Sequence, residues 1–321
     1  MTRSNAQNKI IYVIVFMTYL IFTSVVQADN NVEKLSVSYY LEGQKHIVYG
    51  EKTPQGYRFN ADSEKVLHLA SSNWPPYISE DLCNRGWIFQ FAVAILASKG
   101  YQVNIHFFPW ARSVKIVEQG EMDILFPAYY IDKKAPSDYD LGKTRRELLA
   151  LSNAFSGGSV ALVQRKGGQL TLDAGLSVLN GKMIGVIRGY QNTQEFDAMM
   201  AAKMFSIAQA ADELQLVKLL VANRVDLIIG DPKVFTFSVN VANLSTLEKQ
   251  HLLEGMELVQ PALQYHPLYF VISKKSAGHQ QILRDINIAI SLFEKSGEID
   301  RLISAGYQCS KNNEEHNEKS H

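Results

Sequence analysis

The chain has 321 residues, 46% of them hydrophobic, with 32 basic and 32 acidic side chains and two cysteines. Balanced charge makes no electrostatic case for nucleic acid or an anionic membrane surface. Two cysteines build neither a disulfide-rich scaffold nor a zinc site by themselves.

Arg3 and Lys9 precede an apolar stretch from Ile10 to Val26, followed by Val26-Gln27-Ala28. A positive start, an apolar middle and small residues at the end predict a secretory signal peptide over 1–28, cleaved after Ala28. A retained anchor is the alternative, because a run of this length nearly spans a bilayer. Cleavage would remove Arg3 and Lys9, leaving 30 basic against 32 acidic residues. The remaining chain of about 290 residues suits two domains of about 100 to 180 residues each. No later stretch is comparably apolar, so the mature chain is expected to be soluble.

Residues 29–65 are polar and tyrosine-rich. The alternation in "KLSVSYYLEGQKHIVYG" predicts a small hairpin ahead of the main domain. A regular series comes next: a strand over 66–70, a helix over about 87–98, strand "YQVNIHFF", helix "ARSVKIVEQ" and strand "MDILFPA". Helices closed by Gly100 and Gly120 alternate with short apolar strands, the signature of βαβ units on a parallel sheet. A second series begins near Leu170: strand "KMIGVI", a helix from about Tyr190 to Met204, a short strand near "FSIAQA", helix "ADELQLVKLLVAN" and strand "VDLIIG". Leu214, Val217, Leu220 and Val221 recur at helical spacing and are predicted core residues.

Between the halves runs "SVALVQRKGG", and after the second comes "PLYFVISKKS". Both are extended apolar runs ending in basic residues, and together they read as one connection going out and one coming back. The segment "AGHQQILRDINIAISLFEKSGEIDRLISAGY" predicts a long amphipathic helix, a stop at Gly297 and a second short helix that would return to the first half. Residues 311–321 are polar and expected to be disordered. Cys83 and Cys309 are far apart in sequence. In an oxidising compartment they either form one bridge or remain two separate thiols.

The stretch "VLHLASSNWPPYIS" stops a strand with two prolines and sets an aromatic ring on either side of them. Proline ends the ladder and stiffens the loop, so Trp74 and Tyr77 project from a fixed base. With "PWARSVKIVEQGEMDIL", "RRELLALSNAF", "GKMIGVIRGY", "RVDLIIGD" and "FVISKK" in this order, the chain from about Val66 to Tyr307 resembles the extracytoplasmic solute-binding proteins of family 3. These are the periplasmic receptors of polar amino-acid ABC transporters. The resemblance implies an α/β fold of two lobes joined by two hinge strands, with ligand held in the cleft between them. Lobe 1 is expected over 66–160 and 272–310, lobe 2 over 161–271, and the protein in the periplasm as a monomer.

The resemblance also implies a site. Trp74, supported by Tyr77, would stack on the ligand. Arg145 matches the arginine that grips a carboxylate bidentately, a geometry suited to guanidinium; Arg146, Lys133 and Lys134 compete for that place. A helix beginning after Gly189, with Tyr190 and Gln191, would aim free N–H groups at an anion. Asp231 would pair with an ammonium, or else cap a helix in front of Pro232. In "ILFPAYY", Pro127, Ala128, Tyr129 and Tyr130 replace the small hydroxyl residues usual in amino-acid receptors, which shifts the contact toward stacking and cation–π attraction. Trp110 and Arg112 open the helix that precedes this strand, at the rim or in packing.

Eight histidines lie scattered without metal-ligand spacing, and neither a GxSxG elbow nor a phosphate loop is present. No cofactor, metal site or catalytic residue is therefore expected. The expected activity is capture of a small polar or zwitterionic, amino-acid-like solute for delivery to a membrane permease. The alternative is a periplasmic sensory protein read by a membrane kinase or cyclase. An enzyme resembling cyclohexadienyl dehydratases is a third possibility on this fold.

Overall fold

The computed structural model describes residues 34–306. The predicted signal peptide, Cys309 and the predicted tail lie outside the described residues.

Three strands open the chain: β1 (Lys34–Leu41), β2 (Gln44–Thr53) and β3 (Gly56–Phe59). The expected hairpin is a three-stranded antiparallel meander, and it is continuous with the main domain. Tyr57 of β3 pairs with Ile105 of β5 (Tyr101–Phe107), so the meander extends the first lobe's sheet. Its inward face places Val37, Tyr39, Tyr57 and Phe59 in the core. β4 (Lys65–Ser71) runs parallel to β5 and to β6 (Ile124–Ala128), with α1 (Trp87–Ala97) and α2 (Trp110–Gln119) as the crossovers.

Gln90 is the only polar side chain in α1, which suits a helix buried on all sides. It packs on β5, on β1 and on α8 (His279–Lys295), so the N-terminal meander covers a face that would otherwise meet water. The outer edge of β1 is closed as well. Glu298 Oε1 accepts the Tyr40 N–H at 3.0 Å, and Arg301, forked onto Glu298, donates to the Ser38 carbonyl at 2.9 Å. These two residues lie in a helical segment, 298–306, and they satisfy backbone groups that an edge strand would otherwise expose.

Two long strands connect the lobes. β8 (Phe155–Arg165) leaves and β13 (Gln264–Ser273) returns; they pair antiparallel with Leu268 opposite Phe155 and Gln264 opposite Val160. Each then changes partner. The end of β13 joins β6 and β7 (Leu149–Leu151) in lobe 1. The end of β8 joins β11 (Leu227–Gly230) and β12 (Met256–Leu258) in lobe 2.

The second sheet runs β8-β11-β9-β10, with β9 (Met183–Ile187) parallel to both β10 (Ser206–Ala210) and β11. Its crossovers are α4 (Gln194–Ala201) and α5 (Glu213–Val221). In α5, Val217 and Leu220 are buried as expected; Leu214 and Val221 are only partly covered, and Leu216 takes the remaining core position. Two helices, α6 (Pro232–Val241) and α7 (Thr246–Glu254), come after β11. The sequence marks only the start of α6, through Asp231 as a cap in front of Pro232, and does not announce α7. Both start at capped positions, Asp231 and Ser245, and α7 buries only Leu252, so it carries little apolar periodicity to detect.

Candidate functional site

The loop after β4 closes on itself, the Trp74 N–H donating to the Ile78 carbonyl at 2.6 Å. It stacks the Trp74 ring on Tyr77, centroids 4.5 Å apart. Tyr77 is buried, and its hydroxyl donates to Oδ2 of Asp231 across the cleft at 2.6 Å. The other oxygen of Asp231 accepts the Lys233 N–H at 2.8 Å and caps α6. Both oxygens of the predicted ammonium-binding carboxylate are thus engaged by the protein. Gly158 of β8 lies directly beneath, where any Cβ would collide with Asp231 Oδ2 and the Tyr77 hydroxyl.

Gly189 follows β9 in a left-handed turn, φ 81°. The helix expected from Tyr190 begins instead at Gln194, with the Thr193 hydroxyl as its cap. Gly189 therefore presents an acceptor to the cleft and not a helix start. Its carbonyl receives the Trp110 indole N–H at 3.2 Å and Nη1 of Arg145 at 3.4 Å, both from lobe 1. Arg145 opens α3 (Arg145–Leu148) behind a capping box on Thr144 and Glu147. It is 5% exposed, and its Nε donates to Glu118 Oε1 at 2.8 Å. The remaining nitrogen, Nη2, has no partner among the described residues. Arg146 points elsewhere, over the Tyr130 ring and to the Ile131 carbonyl.

Tyr129 stands at the centre, edge-on to Trp74 at 5.7 Å, to Tyr190 at 6.1 Å and to His266 at 4.9 Å. Its hydroxyl also lacks a partner among the described residues. Trp110 meets Tyr190 edge-on at 5.5 Å. Trp74, Trp110, Tyr129 and Tyr190, with Ala128, Ile131, Gly189 and Gln191, wall a cavity of ≈ 20 Å³, room for about one or two waters. Wider grooves flank it, one carrying Glu80, Asp81 and Asp212, the other Asp132, Asp138 and Asp197.

Two predicted site residues lie elsewhere. Tyr130 is 44% exposed against Tyr269, because β6 ends at Ala128 and the strand alternation ends with it. Arg112 is exposed and covers the Phe108 ring at 4.6 Å. Sequence reasoning missed Glu118, Glu213, Gly158 and His266, and it did not single out Tyr129 from its neighbours. A glutamate in each of two helices reads as surface until the cleft is assembled. Cys83 is disulfide-bonded, just after the Trp74–Tyr77 loop; Cys309, its expected partner, lies outside the described residues.

Burial dominates the electrostatics. Glu213 is pushed up to about 7 by desolvation, although the Tyr190 hydroxyl, 2.8 Å away, and the Trp74 indole favour its charged form. Burial raises Asp231 too, against the pull of the Tyr77 hydroxyl, and Asp197 rises to about 6. His266 is lowered by the same cause. The cleft is a place of low polarity where a new charge without a partner is costly. Among the described residues, no three metal-ligating side chains cluster, and no helix is long and apolar enough to cross a membrane.

No family model and no curated protein matches the sequence. Solved structures do match. An ancestral arginine-binding protein bound to arginine superposes with a TM-score of 0.59 at 19% identity, over 76% of this chain and 99% of that one. An amino-acid ABC transporter substrate-binding protein from Streptococcus pneumoniae, bound to L-arginine, gives 0.58 at 17%, over 77% and 96%. A histidine kinase sensor domain with similarity to periplasmic binding proteins gives 0.59 at 15%, over 76% and 96%. Identities this low speak for architecture alone: the chain has the two-lobed, two-hinge fold of the periplasmic binding proteins.

Proposed function

We propose that the chain captures a small polar solute between its lobes and hands it to a membrane permease of the ABC type. The observation that carries this reading is the closing surface itself. Trp74, Tyr77, Trp110, Tyr129 and Arg145 come from lobe 1, and Gly189, Tyr190, Glu213 and Asp231 from lobe 2. Trp74, Trp110, Tyr129, Arg145, Gly189 and Tyr190 wall one small cavity floored by Leu268 of the hinge strand β13, and the Tyr77–Asp231 bond closes the lobes beside it. A solute enclosed there touches both lobes, so it favours the closed form by its differential contacts. The cavity holds no more than one or two waters as it stands, so entry of any solute requires the lobes to part.

A thermal-melt panel of amino acids, amines, carboxylates and amides tests capture. At about one hundred times its dissociation constant a ligand adds about 2.7 kcal/mol, several degrees in a protein of this size. No shift with any class would end the reading. The likeness to a kinase sensor domain supports a second use of the same closure, as a signal to a membrane kinase. Binding of the ligand-loaded protein to a permease, or its failure to bind one while changing kinase activity, separates the two.

A further inference from the structure

Solute capture by closure leaves the kind of solute open. Resting on that proposed capture, we infer that the cleft selects a compact, uncharged molecule with a flat face and a hydrogen-bond acceptor, such as an amide, a lactam or a small heterocycle, in preference to a zwitterionic amino acid. An α-amino acid needs a cation for its carboxylate and an acid for its ammonium, and both are already spent inside the protein. The Arg145 guanidinium is paired with Glu118, itself 1% exposed, and bonds the Gly189 carbonyl. Asp231 is held at both oxygens by Tyr77 and by the start of α6. Glu213 receives Tyr190.

What the cavity does leave over is specific. Arg145 and Tyr129 both line it, both are more than nine-tenths buried, and each keeps one polar atom, Nη2 and the phenol oxygen, without a partner among the described residues. Nη2 donates only, and the phenol donates or accepts, so an acceptor on the solute satisfies both sides. The guanidinium charge is already balanced by Glu118. An anionic solute would therefore place an unbalanced charge beside Tyr129, where Asp231 and Glu213 already act, in a medium that resists charge. The walls are rings and aliphatic groups from Trp74, Trp110, Ile131, Tyr190 and Leu268, which suit a flat body.

The test is a calorimetric and thermal-melt comparison of the purified protein with three classes of probe. The first is uncharged: nicotinamide, 2-pyrrolidone and N-methylacetamide with their close homologues. The second is the standard amino acids, and the third is short carboxylates. The protein is compared with Tyr129→Phe, which keeps the ring and removes the hydroxyl. The expected result is binding by at least one uncharged probe, weakened about tenfold by the substitution, while the ligand-free variant melts higher because an unpaired buried hydroxyl is gone. Binding confined to amino acids or to carboxylates would overturn the inference and keep solute capture. Uncharged binding indifferent to Tyr129→Phe would overturn the placement, and no binding at all would overturn both readings.

Discussion

The bond between Tyr77 and Asp231 ties lobe 1 to lobe 2, so Tyr77→Phe should loosen closure more than it weakens either lobe. The substitution keeps the ring stacked on Trp74 and removes only the hydroxyl that donates at 2.6 Å to a buried carboxylate. Hydrogen bonds to charged groups contribute about 1.5–3 kcal/mol, which shifts the closed-to-open ratio by roughly 10- to 150-fold. The Tyr77 hydroxyl favours the ionised form of Asp231, so the loss should be larger at neutral pH than in acid, where the carboxyl is protonated. Small-angle scattering reads the separation of the lobes, and a double-mutant cycle with Asp231→Asn isolates the pairwise energy. Expansion of Tyr77→Phe together with a coupling energy above about 1 kcal/mol is the expected outcome. A coupling near zero with unchanged lobe separation would refute the latch.

Glu213 gives a pH dependence of fixed sign. Its carboxyl is raised from 4.5 to about 7 in the folded cleft, so the folded form binds its proton more tightly. The resulting stabilisation, on the order of 3 kcal/mol, is full below about pH 4.5 and lost as pH rises through about 7. Glu213→Gln should flatten that part of the melt-against-pH curve, and an unchanged curve would place the titration elsewhere. Glu118→Ala should cost about 3–5 kcal/mol in urea unfolding, because it strands the Arg145 charge in the interior; Glu118→Gln should cost less. Glu298→Ala frees the edge of β1, and amide exchange at Tyr40 should accelerate while exchange in lobe 2 stays unchanged.

The order of strands and helices was legible because parallel strands buried on both faces and helices with an apolar stripe leave periodic marks, as in "KMIGVI" and "ADELQLVKLLVAN". The role of the meander was not. Alternation in β1 and β2 shows a half-buried ribbon, but its partner is α1, and only the apolar run of "WIFQFAVAILA", interrupted by Gln90 alone, hinted that something had to cover the helix's outer face. In the site, Trp74, Trp110, Ala128, Arg145, Gly189, Tyr190 and Gln191 do line one cavity. The roles of Trp110, Arg145 and Tyr190 were less accessible, since those depend on partners more than twenty residues away in sequence. Nothing near Arg145 announces that Glu118 neutralises it, nor near Asp231 that Tyr77 occupies it.

That internal pairing changes what closure means. In a cleft whose charges wait for a zwitterion, the closed form without ligand would bury an unpaired guanidinium and an unpaired carboxylate, a cost of several kcal/mol that holds the lobes apart. Here Glu118 and Tyr77 remove that cost, and three hydrogen bonds from lobe 1, those of Tyr77, Trp110 and Arg145, cross to lobe 2. The closed form is stabilised by the protein's own groups, so a ligand adds only the difference between its contacts and those it displaces. Affinity should therefore be modest and set chiefly by how easily the latch opens. Weakening the latch has two opposing effects: entry becomes easier, but the closed complex loses the contacts that enclose the solute. Tyr77→Phe should consequently raise the association rate while increasing the dissociation rate, a pattern stopped-flow tryptophan fluorescence can follow because Trp74 and Trp110 both sit on the closing surface.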